Sequence, residues 1–284
     1  MFERPSQKEA RVEFVKMPQA LEKAKEVLTR NQIQMAGFSD LYGEEVIKND
    51  ADELKNRESN FSGGKIPETH EYVNKNLATI FEAIIFDQGE NAGWFGENAS
   101  LIATSKYDDV INGVDLIVEW KENLGVSRME ASIDVTFNHD VQKKISHIKK
   151  SIIDGDLGKI KYFKSKVSDM RGELSKVPRI ILGADVDTVR ELTNEWTNGG
   201  GQKLAKHPVQ FQFFDEAISQ CHYFAAFAEK NGQPRIADAY MDLLRVLEFQ
   251  YAKKNQKLGE DKKVRDAFYK DTQTFFQLEE QDFK

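Results

Sequence analysis

Two stretches of the chain alternate apolar and polar residues with a period of two. The apolar positions are Val114, Leu116, Val118 and Trp120 in the first stretch and Met129, Ala131, Ile133, Val135 and Phe137 in the second. This period is typical of β-strands that are buried on one face. Residues 122–128 between them form a short linker with one glycine, so the two stretches are predicted to pair as an antiparallel hairpin.

The other face of this hairpin is polar and carries several acids. Its residues are Asp115, Glu119 and Lys121 on one strand and Glu130, Ser132, Asp134 and Thr136 on the other. Side chains directly across a hairpin point to the same side, so Asp115 is expected opposite Asp134 or its neighbour Thr136. Two carboxylates that close repel each other unless a cation or a shared proton lies between them. The pattern therefore predicts half of a divalent-metal site.

The remaining apolar stripes predict helices on both sides of a mixed sheet, which makes the fold class α/β. The predicted helices are 67–88, 139–154, 187–196, 209–229 and 235–256, and two further strands are predicted at 100–109 and 177–184. The last two helices are expected to form an antiparallel hairpin. A Gly/Ser linker at 60–65 and a glycine run at 199–201 divide the chain into a helical arm (1–62), an α/β core (63–198) and a helical C-terminal region (199–284).

Residues 67–184 thus follow the order helix, strand, strand, strand, helix, strand, which resembles the αβββαβ core of the PD-(D/E)XK nuclease superfamily. The resemblance implies a metal-dependent nuclease that acts on DNA or RNA phosphodiesters. Carried over by position, Glu82 matches the acid of the first helix, Asp115 that of the second strand and Asp134 that of the third strand. In that family these acids bind Mg²⁺ or Mn²⁺, so the three residues are the expected metal ligands.

The family's catalytic lysine, two residues after the third-strand acid, has no counterpart here because Thr136 stands at that position. Lys121, on the polar face of the neighbouring strand, is the first candidate to replace it, and Lys106 is the second. The expected catalytic set is Lys121, Asp134 and Thr136. The missing lysine also supports an alternative function, a catalytically inactive nuclease fold that serves as a protein- or nucleic-acid-binding module.

A second alignment of the same family motif uses other residues. Asp109, followed after nine intervening residues by Glu119, Trp120 and Lys121, reproduces the acid-spacer-acid-x-lysine string almost literally. It would leave the strand at 129–137 in an unusual place, and both alignments stay open at the level of sequence.

The net charge of −7 hides a local excess of positive charge. Residues 141–179 hold eleven Lys/Arg and four Asp/Glu, a net charge of +7, which leaves −14 on the rest of the chain. A basic surface can attract a polyanion even on an acidic protein, so Lys143, Lys144 and Lys150 are predicted to contact nucleic acid. The acidic remainder of the chain should repel nucleic acid, so weak binding is expected. The alternative interpretation is that these lysines only form the solvated face of a helix.

Composition limits the cellular setting. The longest apolar run is far short of the roughly 20 residues that a membrane span needs, and the first residues lack the apolar region of a secretory signal. The single cysteine, Cys221, fits a reducing compartment and an apolar helix. A cytoplasmic protein is therefore expected, with no membrane contact and with either a nucleic acid or a protein as its partner.

Overall fold

The computed structural model describes residues 7–61, 70–121, 128–137, 141–258 and 265–281. Its helices are α1 (Gln7–Asn31), α2 (Ser39–Tyr42), α3 (Glu44–Phe61), α4 (His70–Ala92), α5 (Val141–Ile153), α6 (Val186–Thr197), α7 (Gly201–Ala205), α8 (Val209–Lys230), α9 (Pro234–Leu258) and α10 (Ala267–Gln281). Its strands are β1 (Ala99–Ala103), β2 (Leu116–Lys121), β3 (Arg128–Phe137), β4 (Gly158–Lys164), β5 (Arg171–Val177) and β6 (Arg179–Ala184). A 3₁₀-helix at Met35–Phe38 and a π-helical turn at Asp108–Asn112 complete these elements.

Several sequence predictions fall outside the described residues. They concern the hairpin linker at 122–127, the Gly/Ser linker at 62–65 and the helix start near Pro67.

The chain is a mixed α/β protein built on a four-stranded mixed sheet in the order β1-β2-β3-β6. The first two strand pairs are antiparallel and the third, β3 with β6, is parallel. Leu116 pairs with Ile133, which places the apolar residues of β2 and β3 on the same face, as their alternation predicts. The mixed sheet and the antiparallel β2–β3 pair are therefore confirmed.

The strand predicted at 100–109 ends earlier, at Ala103, and the chain turns helical before Asp108. Ser105 explains the change, because its hydroxyl donates to Asp108 Oδ2 over 2.6 Å and accepts from the Asp108 backbone N–H over 3.0 Å. These local bonds compete with strand pairing. Gly113, with φ of +62°, ends the π-helical turn in a conformation that favours glycine.

The second sheet, formed by β4 and β5, lies within the basic segment 141–179 and has no counterpart among the predicted strands. It covers the polar face of β2 and β3, which alternation alone would leave in solvent. The apolar side chains in this second layer are Ile102, Val114 and Ile117 near the main sheet and Ile160, Phe163, Leu174 and Val177 from the small one. Even the polar positions Glu119, Ser132, Asp134 and Thr136 are therefore buried.

Helix α8 protects the outer edge of β6, where backbone groups would otherwise be unpaired. The Gln220 amide accepts from the Ile181 N–H over 2.8 Å and donates to the Ile181 carbonyl over 2.6 Å. One turn earlier, Glu216 accepts from the Gly183 N–H over 2.9 Å. The side chains of α8 thus replace a neighbouring strand.

One apolar cluster joins the three regions predicted from the sequence. It contains Ala20 of α1, Ile84 of α4, Ile133 of β3, Phe224 of α8 and Phe276 of α10. The antiparallel pairing of α8 with α9 matches the predicted C-terminal hairpin, whereas α10 was not predicted. Among the residues described, no helix combines the length and the hydropathy needed to cross a membrane.

Candidate functional site

Asp115 and Asp134 lie together where β2 begins. The register that pairs Leu116 with Ile133 puts Asp115 across from Asp134, and the Asp115 N–H donates to the Ile133 carbonyl over 3.2 Å. The Asp115 carboxylate reaches across to β3 and accepts from the Val135 N–H over 2.7 Å. The structure thus brings together the two acids that the hairpin pattern singled out.

Glu82 approaches the same pair from α4. Burial, together with the negative charges of Asp115 and Asp109, raises the pKa of Glu82 well above its ordinary value. Burial, together with Asp134 and Asp109, raises the pKa of Asp115 to about 7. The three predicted acids therefore share one electrostatic environment, and Asp109 joins them as a fourth member. We call Glu82, Asp109, Asp115 and Asp134 the acid cluster.

Two cations hold Asp134 at the edge of this cluster. The Lys144 ammonium, from the first turns of α5, contacts Asp134 Oδ1 and donates to the Val135 carbonyl over 3.0 Å. The Arg179 guanidinium lies 3.3 Å from Asp134 Oδ2 and also donates to the Gly113 carbonyl. Both carboxylate oxygens of Asp134 are therefore engaged by positive charge. Sequence reasoning assigned no role at this site to either cation.

Lys106, the second candidate for the missing lysine, also lies at the acid cluster. Its ammonium is 2.6 Å from Asp109 Oδ2, and its charge lowers the pKa of Glu82 against the larger effect of burial. Lys106 falls in the strand predicted at 100–109, whereas residues 106–112 are helical. The residue lies at the cluster nonetheless.

Lys121, the first candidate, does not reach the acids. It is exposed at the far end of β2 and pairs with Arg128. Six residues of extended strand separate it from Asp115, about 20 Å at the usual rise. The role predicted for Lys121 at Asp134 is therefore wrong. Thr136 is buried on β3, beside Gly183 in the parallel register, two residues beyond Asp134 on the same face.

The second alignment, Asp109 with Glu119 and Lys121, is not brought together either. Asp109 lies with the acid cluster, whereas Glu119 is buried beneath the turn that joins β4 to β5. There its carboxylate accepts from the Ser165 hydroxyl over 2.6 Å and from the Lys166 N–H over 3.0 Å. These bonds indicate that Glu119 anchors the small sheet on the large one.

The acid cluster offers oxygen donors, the ligand type that Mg²⁺ and Mn²⁺ prefer. Its geometry does not form a metal site, however: within the described ranges, no group of three or more Asp, Glu, His and Cys side chains could hold a metal ion. Lys144 and Arg179 already neutralise Asp134. The predicted ligands Glu82, Asp115 and Asp134 thus lie close together, but in this arrangement they do not form a metal-binding group.

The basic segment 141–179 is largely neutralised within the fold. At least seven of its eleven cations form ion pairs, most of them with acids from other parts of the chain. The pairs are Lys144–Asp134, Lys149–Glu279, Lys159–Glu173, Lys161–Asp50, Lys166–Glu90, Arg171–Asp40 and Arg179–Asp134. Of the three lysines predicted to contact nucleic acid, Lys143 and Lys150 are exposed on α5. Lys144 is turned inward to Asp134, so the prediction of a surface role for Lys144 is wrong.

Comparisons with protein-family models, with curated proteins and with solved structures found no match for this chain.

Proposed function

We propose that the protein hydrolyses phosphodiester bonds of nucleic acid at the acid cluster. The observation that carries the proposal is the convergence of Glu82, Asp115 and Asp134 from three separate elements, with the Lys144 ammonium on the third acid. The order α4, β1, β2, β3, α5, β6 supports it, since this is the αβββαβ order of the nuclease superfamily that the sequence resembles, with β4 and β5 inserted before the last strand.

The electrostatics of the cluster suit acid–base chemistry near neutral pH. A carboxyl whose pKa is about 7, such as Asp115, can accept a proton near neutral pH. In the proposed reaction, the oxygen of water bonds to phosphorus and its proton passes to Asp115. The bond from phosphorus to the leaving oxygen breaks, and protonated Glu82 supplies the proton that this oxygen takes. The Lys144 ammonium stabilises the charge that builds on the phosphoryl oxygens.

The family resemblance implies Mg²⁺ or Mn²⁺, and no step above is assigned to an ion because the acids do not form a three-ligand group. The assay therefore treats metal dependence as a separate question. Purified protein is incubated with single- and double-stranded DNA and RNA in the presence of Mg²⁺, Mn²⁺ or EDTA. We expect cleavage in at least one of these combinations, and loss of cleavage with EDTA would establish a role for the ion.

The matched variants are Asp134→Asn and Asp154→Asn. Each removes one carboxylate, but Asp154 is an exposed residue just after α5, away from the cluster. Asp134→Asn should abolish cleavage because the Lys144 ammonium loses the carboxylate that positions it beside the cluster, and Asp154→Asn should leave the rate unchanged. Cleavage that survives in the Asp134→Asn variant would refute the proposed site.

A second candidate function is a catalytically inactive nuclease fold that binds nucleic acid or protein. The observation in its favour is that Lys144 and Arg179 occupy both oxygens of Asp134, as they would in a site that is held together structurally. Under this alternative the wild-type protein cleaves none of the nucleic acids with either metal or with EDTA, and a binding assay still detects a nucleic acid or a protein bound to it.

A further inference from the structure

A cavity of about 660 Å³ lies where the two parallel strands of the main sheet end. Phe137 of β3 pairs with Ala184 of β6 at this edge, and α5 and α6 begin a few residues later. Helix α10 contributes another wall. Ligands of open α/β sheets commonly bind in crevices outside the carboxyl ends of parallel strands, and the volume is within the range of roughly 300–1,000 Å³ that small-molecule sites occupy.

The walls of this cavity combine an apolar interior with acids. Val186 of α6 and Phe268 and Phe275 of α10 supply apolar surface, and Asp187 and Asp271 supply carboxylates. The Asp187 side chain is 92% exposed, and its carboxylate lies 3.7 Å from the Arg190 guanidinium. Among the described residues that line the cavity there is no Lys, Arg or His.

The beginning of α6 does not turn this cavity into an anion site. A helix N-terminus carries partial positive charge, but Asp185 already caps α6 by accepting from the Thr188 N–H over 2.8 Å. Asp187 adds a second carboxylate in the first turn. Three carboxylates on the lining exceed the partial charge of the helix end, so the local field favours a cation.

We propose that this cavity binds a small organic cation, namely a primary amine attached to an aromatic or aliphatic body. The body packs against Val186, Phe268 and Phe275, and the ammonium group pairs with Asp187 and Asp271. The cavity shares no residue with the acid cluster. Three residues of β3, about 10 Å of strand, separate Asp134 from the strand end, so this proposal stands whether or not the protein cleaves nucleic acid.

The test uses two probes of the same shape and opposite charge, tryptamine and indole-3-propionate, in titrations followed by calorimetry and by NMR. Tryptamine should bind and shift resonances of α6 and α10, and indole-3-propionate should not bind. The double variant Asp187→Asn/Asp271→Asn should weaken tryptamine binding about tenfold or more, because each charge-assisted hydrogen bond to the ammonium is lost. Both substituted residues are exposed, so folding should be preserved.

The control is Asp238→Asn/Glu248→Gln, which removes two exposed carboxylates of α9 outside the cavity. This variant should bind tryptamine as the wild type does. Equal binding of the two probes, equal weakening in both double variants, or no tryptamine binding would overturn the proposal. Binding of a lysine-rich peptide without binding of tryptamine would also overturn it, since the partner would then be a polypeptide.

Discussion

The substitution Asp115→Asn should make the folded protein more stable at alkaline pH while it removes a carboxylate from the acid cluster. Asp115 is half-buried next to two other acids, and burial and the charges of Asp134 and Asp109 raise its pKa to about 7 from an ordinary value of 3.8. Asparagine has nearly the same shape, and its carbonyl oxygen can still accept from the Val135 N–H. It therefore removes the unfavourable charge and keeps the hydrogen bond.

The size and pH dependence of this effect follow from linkage. Between pH 4 and 7 the folded state keeps a proton on Asp115 that the unfolded chain has lost, so the wild type loses stability as pH rises through this window. A pKa raised to about 7 means that ionised Asp115 destabilises the folded state by at most about 4 kcal/mol above pH 8. Partial solvent exposure of Asp115 and rearrangement of the nearby lysines reduce this figure. We therefore expect Asp115→Asn to raise the free energy of unfolding by about 2 kcal/mol at pH 8.

Urea denaturation at pH 5 and at pH 8 measures the difference for wild type and variant. The gain should be less than half as large at pH 5 as at pH 8, because pH 5 lies early in the window between pH 4 and 7. Asp238→Asn, which removes an exposed carboxylate of α9, is the control and should show no such pH dependence. A gain that is the same at both pH values, or a loss at pH 8, would show that Asp115 does not lie in the electrostatic environment described here. Under the proposed function the stabilised variant should no longer cleave nucleic acid.

Three further predictions address the edge of the sheet and the cations of α5. Burial raises the pKa of Glu216 well above its ordinary value, so the wild type loses stability as pH rises toward that pKa, and Glu216→Gln should unfold at a higher urea concentration than the wild type at pH 8. Glu216→Ala should lower the free energy of unfolding by about 2 kcal/mol, because it leaves the buried Gly183 N–H without an acceptor. Gly183→Ala should lose about 2 kcal/mol in the same assay, since a Cβ there would overlap the Phe268 ring, and unchanged stability would contradict the packing of α10 on β6. Under the proposed function, Lys144→Met should lower the cleavage rate about 100-fold, whereas Lys150→Met, on the exposed face of α5, should leave it unchanged. Equal rates in the two variants would exclude Lys144 from the reaction.

The pairing of β2 with β3 could be predicted because it depends on a local pattern. Alternate apolar residues must face the core together, so Leu116 has to pair with Ile133 or a neighbour of the same parity. Once this register is set, Asp115 and Asp134 meet without further information. Glu82 was selected by its position on the helix before the first strand, and the structure brings it into the same electrostatic environment as Asp115. These parts of the candidate site follow from strand and helix periodicity.

The cations of the site could not be predicted in the same way. Lys121 was chosen because it shares a strand face with Asp115, but the rise of an extended strand carries it far from the acids. Lys144 reaches Asp134 because α5 folds back over the sheet, and Arg179 reaches it because β6 pairs in parallel with β3. Both contacts depend on tertiary packing, and the spacing of these residues along the chain does not predict them.

By itself, the sequence determined which residues alternate, which stripes form helices and how much charge each segment carries. Only the tertiary structure decided that β4 and β5 would cover the polar face of the hairpin and that acids as distant as Asp40, Asp50 and Glu90 would neutralise the basic segment. The physical reason is one of range. Periodicity reflects backbone geometry over a few residues, whereas burial and the pairing of charges depend on which distant segments pack together when the whole chain folds.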